Sequence, residues 1–101
     1  MSRKVKISKT AEKKLDKLFN YLLENWSSKV KSDFIKKLDK SIDIMKVSPE
    51  SFPKSEKYPG LHKCVFTKQT SVFYRFNSKT IFVVTIFDTR QDPKKLKKDL
   101  K

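Results

Sequence analysis

The chain has 101 residues, 37% of them hydrophobic and 12% aromatic, which fills one core and not two. Lys and Arg number 25 against 11 Asp and Glu, a formal charge of +14, so the expected counterpart is a polyanion: nucleic acid, an acidic membrane face or an acidic protein. A single Cys and a single His exclude an internal disulfide and a Cys/His zinc cage, and a single Gly excludes a glycine-rich phosphate loop, so no metal or cofactor is expected.

The opening MSRKVKIS carries charge but no apolar stretch of signal-peptide type. No run approaches the ~20 apolar residues of a membrane span. A cytoplasmic protein without membrane contact is therefore expected. RKVKI (3–7) alternates polar and apolar residues and predicts a short strand. Ser8 or Thr10 can cap the segment that follows, because a hydroxyl oxygen there accepts from an unpaired N–H of the first helical turn.

Over 9–25 the apolar residues Ala11, Leu15, Leu18, Phe19, Leu22 and Leu23 recur at helical spacing, which predicts an amphipathic helix. NWSS (25–28) interrupts it, with Ser27 or Ser28 as the next cap. A second helix is predicted over 29–47, its stripe made of Val30, Phe34, Leu38, Ile42 and Met45 and broadened by Ile35 and Ile44. The short connection makes the pair an antiparallel hairpin. Trp26, at its corner, is expected to anchor it in the core.

SPESFPKSEKYPGL (48–61) holds three of the four prolines and the only glycine, and reads as an extended connection pinned by Phe52, Tyr58 and Leu61. Three strand-like runs follow: HKCVF (62–66), SVFYRF (71–76) and TIFVVTIF (80–87). Their short polar links predict antiparallel neighbours. The last run is apolar on both faces, the mark of a central or well-covered strand. Cys64 is expected to be a small buried thiol, and His62 a surface residue of strand or loop. Alternation places Phe73 and Arg75 on one face of the sheet, and Val72, Tyr74 and Phe76 on the other.

The chain closes on IFDTRQDPKKL (86–96) and a lysine-rich end. Asp92 is a good N-cap and Pro93 a good first helical residue, so a short basic helix is predicted, docked by Leu96 and Leu100. Arg90 has no such local duty. Asp88 can orient it through a carboxylate–guanidinium contact, which makes Arg90 a candidate for binding phosphate or carboxylate. The expected architecture is an α+β domain spanning 1–101, in the order β-α-α-β-β-β plus a short C-terminal helix.

The element order, SVFYRFN, KVKISKTAEKKLDKLFNYL and above all TIFVVTIFDTRQDPKKL resemble the RelE/ParE superfamily of toxins from type II toxin–antitoxin modules, and the FDTRQDPKKL ending is similar to the ParE-like, plasmid-stabilisation branch. The resemblance covers nearly the whole chain. It implies a toxin held by an acidic antitoxin in a hetero-oligomer, which the +14 charge favours independently.

The superfamily's ribonucleases supply lysines from the second strand, an arginine opening the third, an arginine after the fourth and a tyrosine in the final helix. Those positions fall here on His62 and Cys64, on Ser71, on Arg90 and on Leu96. Only Arg90 matches, and His62 is left as a weak candidate base. Lys63 and Lys68 lie near the lysine positions, on the wrong face or in the turn. The resemblance thus implies a non-enzymatic toxin that binds and blocks its target through Arg75, Arg90, Lys63 and Lys68, with DNA gyrase as the leading target. The alternatives are a ribosome-dependent mRNA endoribonuclease working through His62 and Arg90, and a non-toxic basic nucleic-acid-binding domain.

Overall fold

The computed structural model describes residues 3–56 and 58–88. They form β1 (Lys4–Ile7), α1 (Lys9–Asn25), α2 (Ser28–Val47), a 3-10 turn (Pro49–Ser51), β2 (His62–Val65), β3 (Thr70–Phe76) and β4 (Thr80–Asp88). One helical layer packs on one mixed sheet, an α+β fold. The C-terminal helix expected over 93–101, with its docking residues Leu96 and Leu100, lies outside the described residues, as do Arg90, Asp92 and Pro93.

Both helices start where a serine can cap them. The Ser8 hydroxyl accepts from the Ala11 N–H at 3.0 Å, and the Ser27 hydroxyl from Val30 N–H at 3.1 Å. Along α1 the residues Ala11, Leu15, Leu18 and Leu22 are buried, so the 3.6-residue stripe becomes the core face. On α2 the buried positions are Phe34, Leu38 and Met45. Each fully buried leucine of these stripes stabilises the fold by about 1.5–3 kcal/mol.

Three apolar residues differ from expectation. Trp26 is 61% exposed. Its backbone turns out of helical geometry while its N–H still donates to the Leu22 carbonyl, so it ends the helix facing outward instead of anchoring the hairpin in the core. Leu23 and Ile44 are exposed as well, because each sits at the rim of a stripe whose centre already fills the layer.

The sheet order is β1-β4-β3-β2. β2, β3 and β4 are antiparallel neighbours, as the short links required. β1 pairs in parallel with β4, Val5 opposite Ile81 and Ile7 opposite Val83. This makes β4 a central strand, in keeping with its two apolar faces. The register of β3 and β4 slips at Phe73/Tyr74: Phe73 faces Thr85 and Tyr74 faces Val83, so Val84 is bulged. Ser8 serves this bulge too. Its hydroxyl donates to the Val84 carbonyl at 2.6 Å and its N–H to the Val83 carbonyl at 3.0 Å. One serine therefore starts α1 and satisfies the bulge.

Arg3 fastens the other end of the fold. Its guanidinium donates to the Asn77 carbonyl at 2.8 Å and to the Lys46 carbonyl at 3.2 Å, and lies over Phe76. The connection to β2 is held by aromatic edges. Phe52 packs edge-on against Tyr74, and Tyr58 against Phe73. The Tyr74 hydroxyl donates to the buried Pro49 carbonyl. Gly60 has φ +90, a conformation that a Cβ would strain, which explains the position of the chain's only glycine.

Candidate target-binding face

The helices cover one face of the sheet; the other, the open face, exposes Lys6, Lys63 and Arg75 and buries Phe73 and Thr85. Register assigns the residues of that open face. Lys6, Phe82 and Arg75 form one row across β1, β4 and β3. Lys63, Phe73 and Thr85 form the next, across β2, β3 and β4. The two rows bring three cations to the surface and no carboxylate.

Two of these cations rest on rings of the same face. The Arg75 guanidinium lies 4.7 Å from the centre of Phe82, and the Lys63 ammonium 5.9 Å from that of Phe73. Such contacts are worth about 0.5–1 kcal/mol each at exposed sites. Their larger effect is to hold long side chains in place, which lowers the entropy cost of meeting an anion. Beside Phe73 the connecting segment and the sheet enclose an open cavity of about 520 Å³, walled by Tyr58, Phe73 and Phe87, with Lys63 and Glu56 on its lining.

The expected contact residues thus divide. Lys63 and Arg75 share the open face. Lys68 is exposed in the β2–β3 turn, away from both rows. Arg90 lies outside the described residues.

His62, expected at the surface, is on strand β2 and only partly exposed. It pairs with Tyr74 on the helix-covered side of the sheet, with ring centres 5.5 Å from Tyr74 and 5.0 Å from Phe76. Its Nδ1 is buried without a hydrogen-bond partner. Strand alternation is the reason: Lys63 points to the open face, so His62 and Cys64 must point inward, and Cys64 is fully buried. Burial, and then the charge of Lys54, hold the imidazole below its ordinary pKa, with Glu50 opposing.

The unfolded chain takes up this proton first as the pH falls. Stability is therefore full above the unfolded value of 6.5 and is lost as the pH drops from there toward the lowered folded value. The melting temperature is expected to fall more steeply below about pH 6.5 in the parent protein than in His62→Gln. Equal pH slopes in the two proteins would remove His62 as the cause.

At the far end of the sheet, a network that the sequence did not announce joins the β2–β3 turn to β4. The Thr67 hydroxyl donates to that of Thr70 at 3.0 Å, and the Thr70 hydroxyl to Asp88 Oδ2 at 2.6 Å. Thr70 and Asp88 are 0% and 1% exposed. The Asp88 carboxylate thus holds the turn that carries Lys68, while its expected contact with Arg90 lies outside the described residues. Among the described residues no three His, Cys, Asp or Glu side chains converge as metal ligands. No helix among them is long and apolar enough to cross a membrane.

The fold has close structural relatives. A chain of the chromosomal ParDE toxin–antitoxin system from P. aeruginosa superposes with a TM-score of 0.72 at 12% identity, over 86% of this chain and 96% of that one. A mutant of the E. coli toxin RelE in the free state gives 0.64 at 16% identity, over 99% and 95%. A chain of the RelBE2 toxin–antitoxin complex from Mycobacterium tuberculosis gives 0.59 at 12% identity, over 87% and 99%. Among curated proteins none matches the sequence significantly. Residues 5–93 match the sequence model of the ParE toxin of the type II toxin–antitoxin system parDE. With nearly its whole length matched, the chain belongs to the ParE toxin family of type II toxin–antitoxin systems.

Proposed function

We propose that the protein arrests growth by binding and blocking a cellular machine through the open face of its sheet, and that an acidic antitoxin neutralises it. The observation that carries this reading is the separation of chemistry across the sheet. Lys63 and Arg75 occupy the open face, while the only histidine is turned to the helical side. RNA cleavage by attack of a 2′-hydroxyl needs a base and a cluster of cations around one phosphate. Cations without that base suit adhesion to an anionic surface better than they suit catalysis.

DNA gyrase is the first target to test, the one implied by the ParE-like ending of the sequence. A cytoplasmic site of action and assembly with the antitoxin into a hetero-oligomer belong to the same proposal. The test is a timed pulse-label of bacterial cells after induction, with DNA and protein synthesis followed in parallel. DNA synthesis is expected to fall first, and a supercoiling assay on purified gyrase follows. An earlier fall in protein synthesis would overturn the gyrase reading in favour of the ribosome.

A further inference from the structure

The space between the helical layer and the sheet is not completely filled. A cavity of about 290 Å³ lies where α1, α2 and the sheet meet, with Val72, Val83 and Ile86 of the sheet and Leu15 and Leu38 of the helices on its lining. All five are at most 8% exposed, so the space runs into the core. Phe19, the only ring on the lining, is held by its edge contact with Phe34, ring centres 6.0 Å apart, and by the Lys31 ammonium over it, so it does not swing in to close the gap. At the rim stand Ile7, 42% exposed on the edge strand β1, and Asp39, exposed on α2.

Asp39 is the one polar residue on this lining; every other is aliphatic or aromatic. Among the described residues its carboxylate has no hydrogen-bond or ion-pair partner, whereas Asp43, one turn on, has Lys46 at 3.8 Å. The recess thus joins an apolar body to one open carboxylate at its mouth. An apolar cavity of about 150 Å³ stays dry and takes up a molecule the size of benzene. At about 30 Å³ for each non-hydrogen atom, the share of a water in the liquid, this one holds roughly ten.

We propose that this cavity is a binding site for a small apolar amine, whose hydrocarbon part fills the recess between α1, α2 and the sheet and whose ammonium meets Asp39. The site is independent of the proposed function, since it lies on the helical side of the sheet, away from Lys63 and Arg75. Burial of the hydrocarbon supplies the affinity, and the carboxylate supplies the choice of ligand. The net charge of +14 works the other way, drawing anions to the protein and repelling amines. Salt screens that field beyond about 8 Å, while Asp39 acts at contact. Bulk charge and the local carboxylate therefore favour opposite ligands, which makes the two separable.

The probes are phenethylamine, phenethyl alcohol and phenylacetate, one phenyl body with a cationic, a neutral and an anionic end. Each is titrated into the full-length protein, and the methyl resonances of its isoleucines, leucines and valines are followed by NMR. The amine is expected to shift the methyls of Leu15, Leu38, Val72, Val83 and Ile86 saturably. It is expected to bind at least ~10-fold more tightly than phenylacetate, with the alcohol between, because a charge-assisted contact replaces a repulsive one. Asp39→Asn changes an exposed position and leaves the core untouched. In that variant the preference for the amine is expected to fall below ~3-fold, the net field alone remaining.

No saturable shift of these methyls with any probe would overturn the cavity as a site. Phenylacetate binding as tightly as the amine, or an amine preference that survives in Asp39→Asn, would overturn the pairing with Asp39. Lining methyls that shift without ligand as the protein is concentrated would show a second copy seated in the recess and overturn the small-molecule site. None of these outcomes touches the toxin reading itself, which growth arrest on expression decides separately.

Discussion

Arg75→Ala is expected to cut growth arrest at least ~10-fold at matched protein level while leaving the protein folded. Arg75 is exposed on β3 and lies over Phe82, so its loss to the fold is one cation–π contact, about 0.5–1 kcal/mol. For a domain of this size that lowers the melting temperature by no more than ~8 °C. The loss to a complex is larger. Truncating one member of a desolvated charge pair at an interface costs about 2–5 kcal/mol, which is ~30-fold or more in affinity.

Arg75→Lys is expected to fall between the two, because lysine keeps the charge but neither the planar stack on Phe82 nor the fork that grips a carboxylate or phosphate. Circular dichroism melting and growth curves over a series of inducer concentrations make the comparison. Full arrest by a folded Arg75→Ala protein would move the contact away from the open face. Arg90→Ala, the variant singled out by the sequence ending, belongs in the same series. If both arginines act on one target, the double variant is expected to lose more than either alone.

Thr70→Val is expected to be the costlier change for stability, by roughly 1.5–3 kcal/mol, although valine matches threonine in shape. The hydroxyl of Thr70 donates to Asp88 Oδ2 at 2.6 Å in a site closed to water. Removing the donor takes one short hydrogen bond from a buried carboxylate, and a hydrogen bond to a charged group is worth more than one between neutral groups. The same substitution removes the hydroxyl–hydroxyl bond between Thr67 and Thr70 in the turn carrying Lys68, while the Thr70 N–H still donates to the Thr67 hydroxyl.

Against a total stability on the order of 5–15 kcal/mol, the change is visible in urea unfolding as a lower midpoint with an unaltered slope. Thr70→Ser keeps the hydroxyl and is expected to recover most of the loss. A Thr70→Val protein as stable as the parent would show that Asp88 is satisfied without Thr70.

Periodicity located the two helices because helical order is local. Ala11, Leu15, Leu18 and Leu22 reach the core by backbone geometry that any 3.6-residue repeat imposes, and the caps Ser8 and Ser27 lie within one turn of what they cap. The three β-rich runs were legible for the same reason, as was the antiparallel pairing that short links force. Alternation along β3 placed Phe73 and Arg75 together, and along β2 it separated Lys63 from His62.

Pairings between residues distant in sequence were not legible. Nothing in RKVKI says that it lies parallel to a strand some eighty residues later, yet that pairing brings Lys6 into line with Phe82 and Arg75 and turns scattered cations into a row. The bulge at Val84 and its use of Ser8 follow from the same long-range contact. Trp26 misled because a large aromatic at a helix corner is most often an anchor, and only the backbone turn at that residue sends it outward.

Asp88 gained a partner by the same route: Thr70, distant in sequence, is brought to its carboxylate by the β3–β4 ladder. Composition and local spacing therefore determined the elements, the charge and the family resemblance. Strand order and register, which depend on contacts between segments far apart in the chain, decided which of those charges form one face.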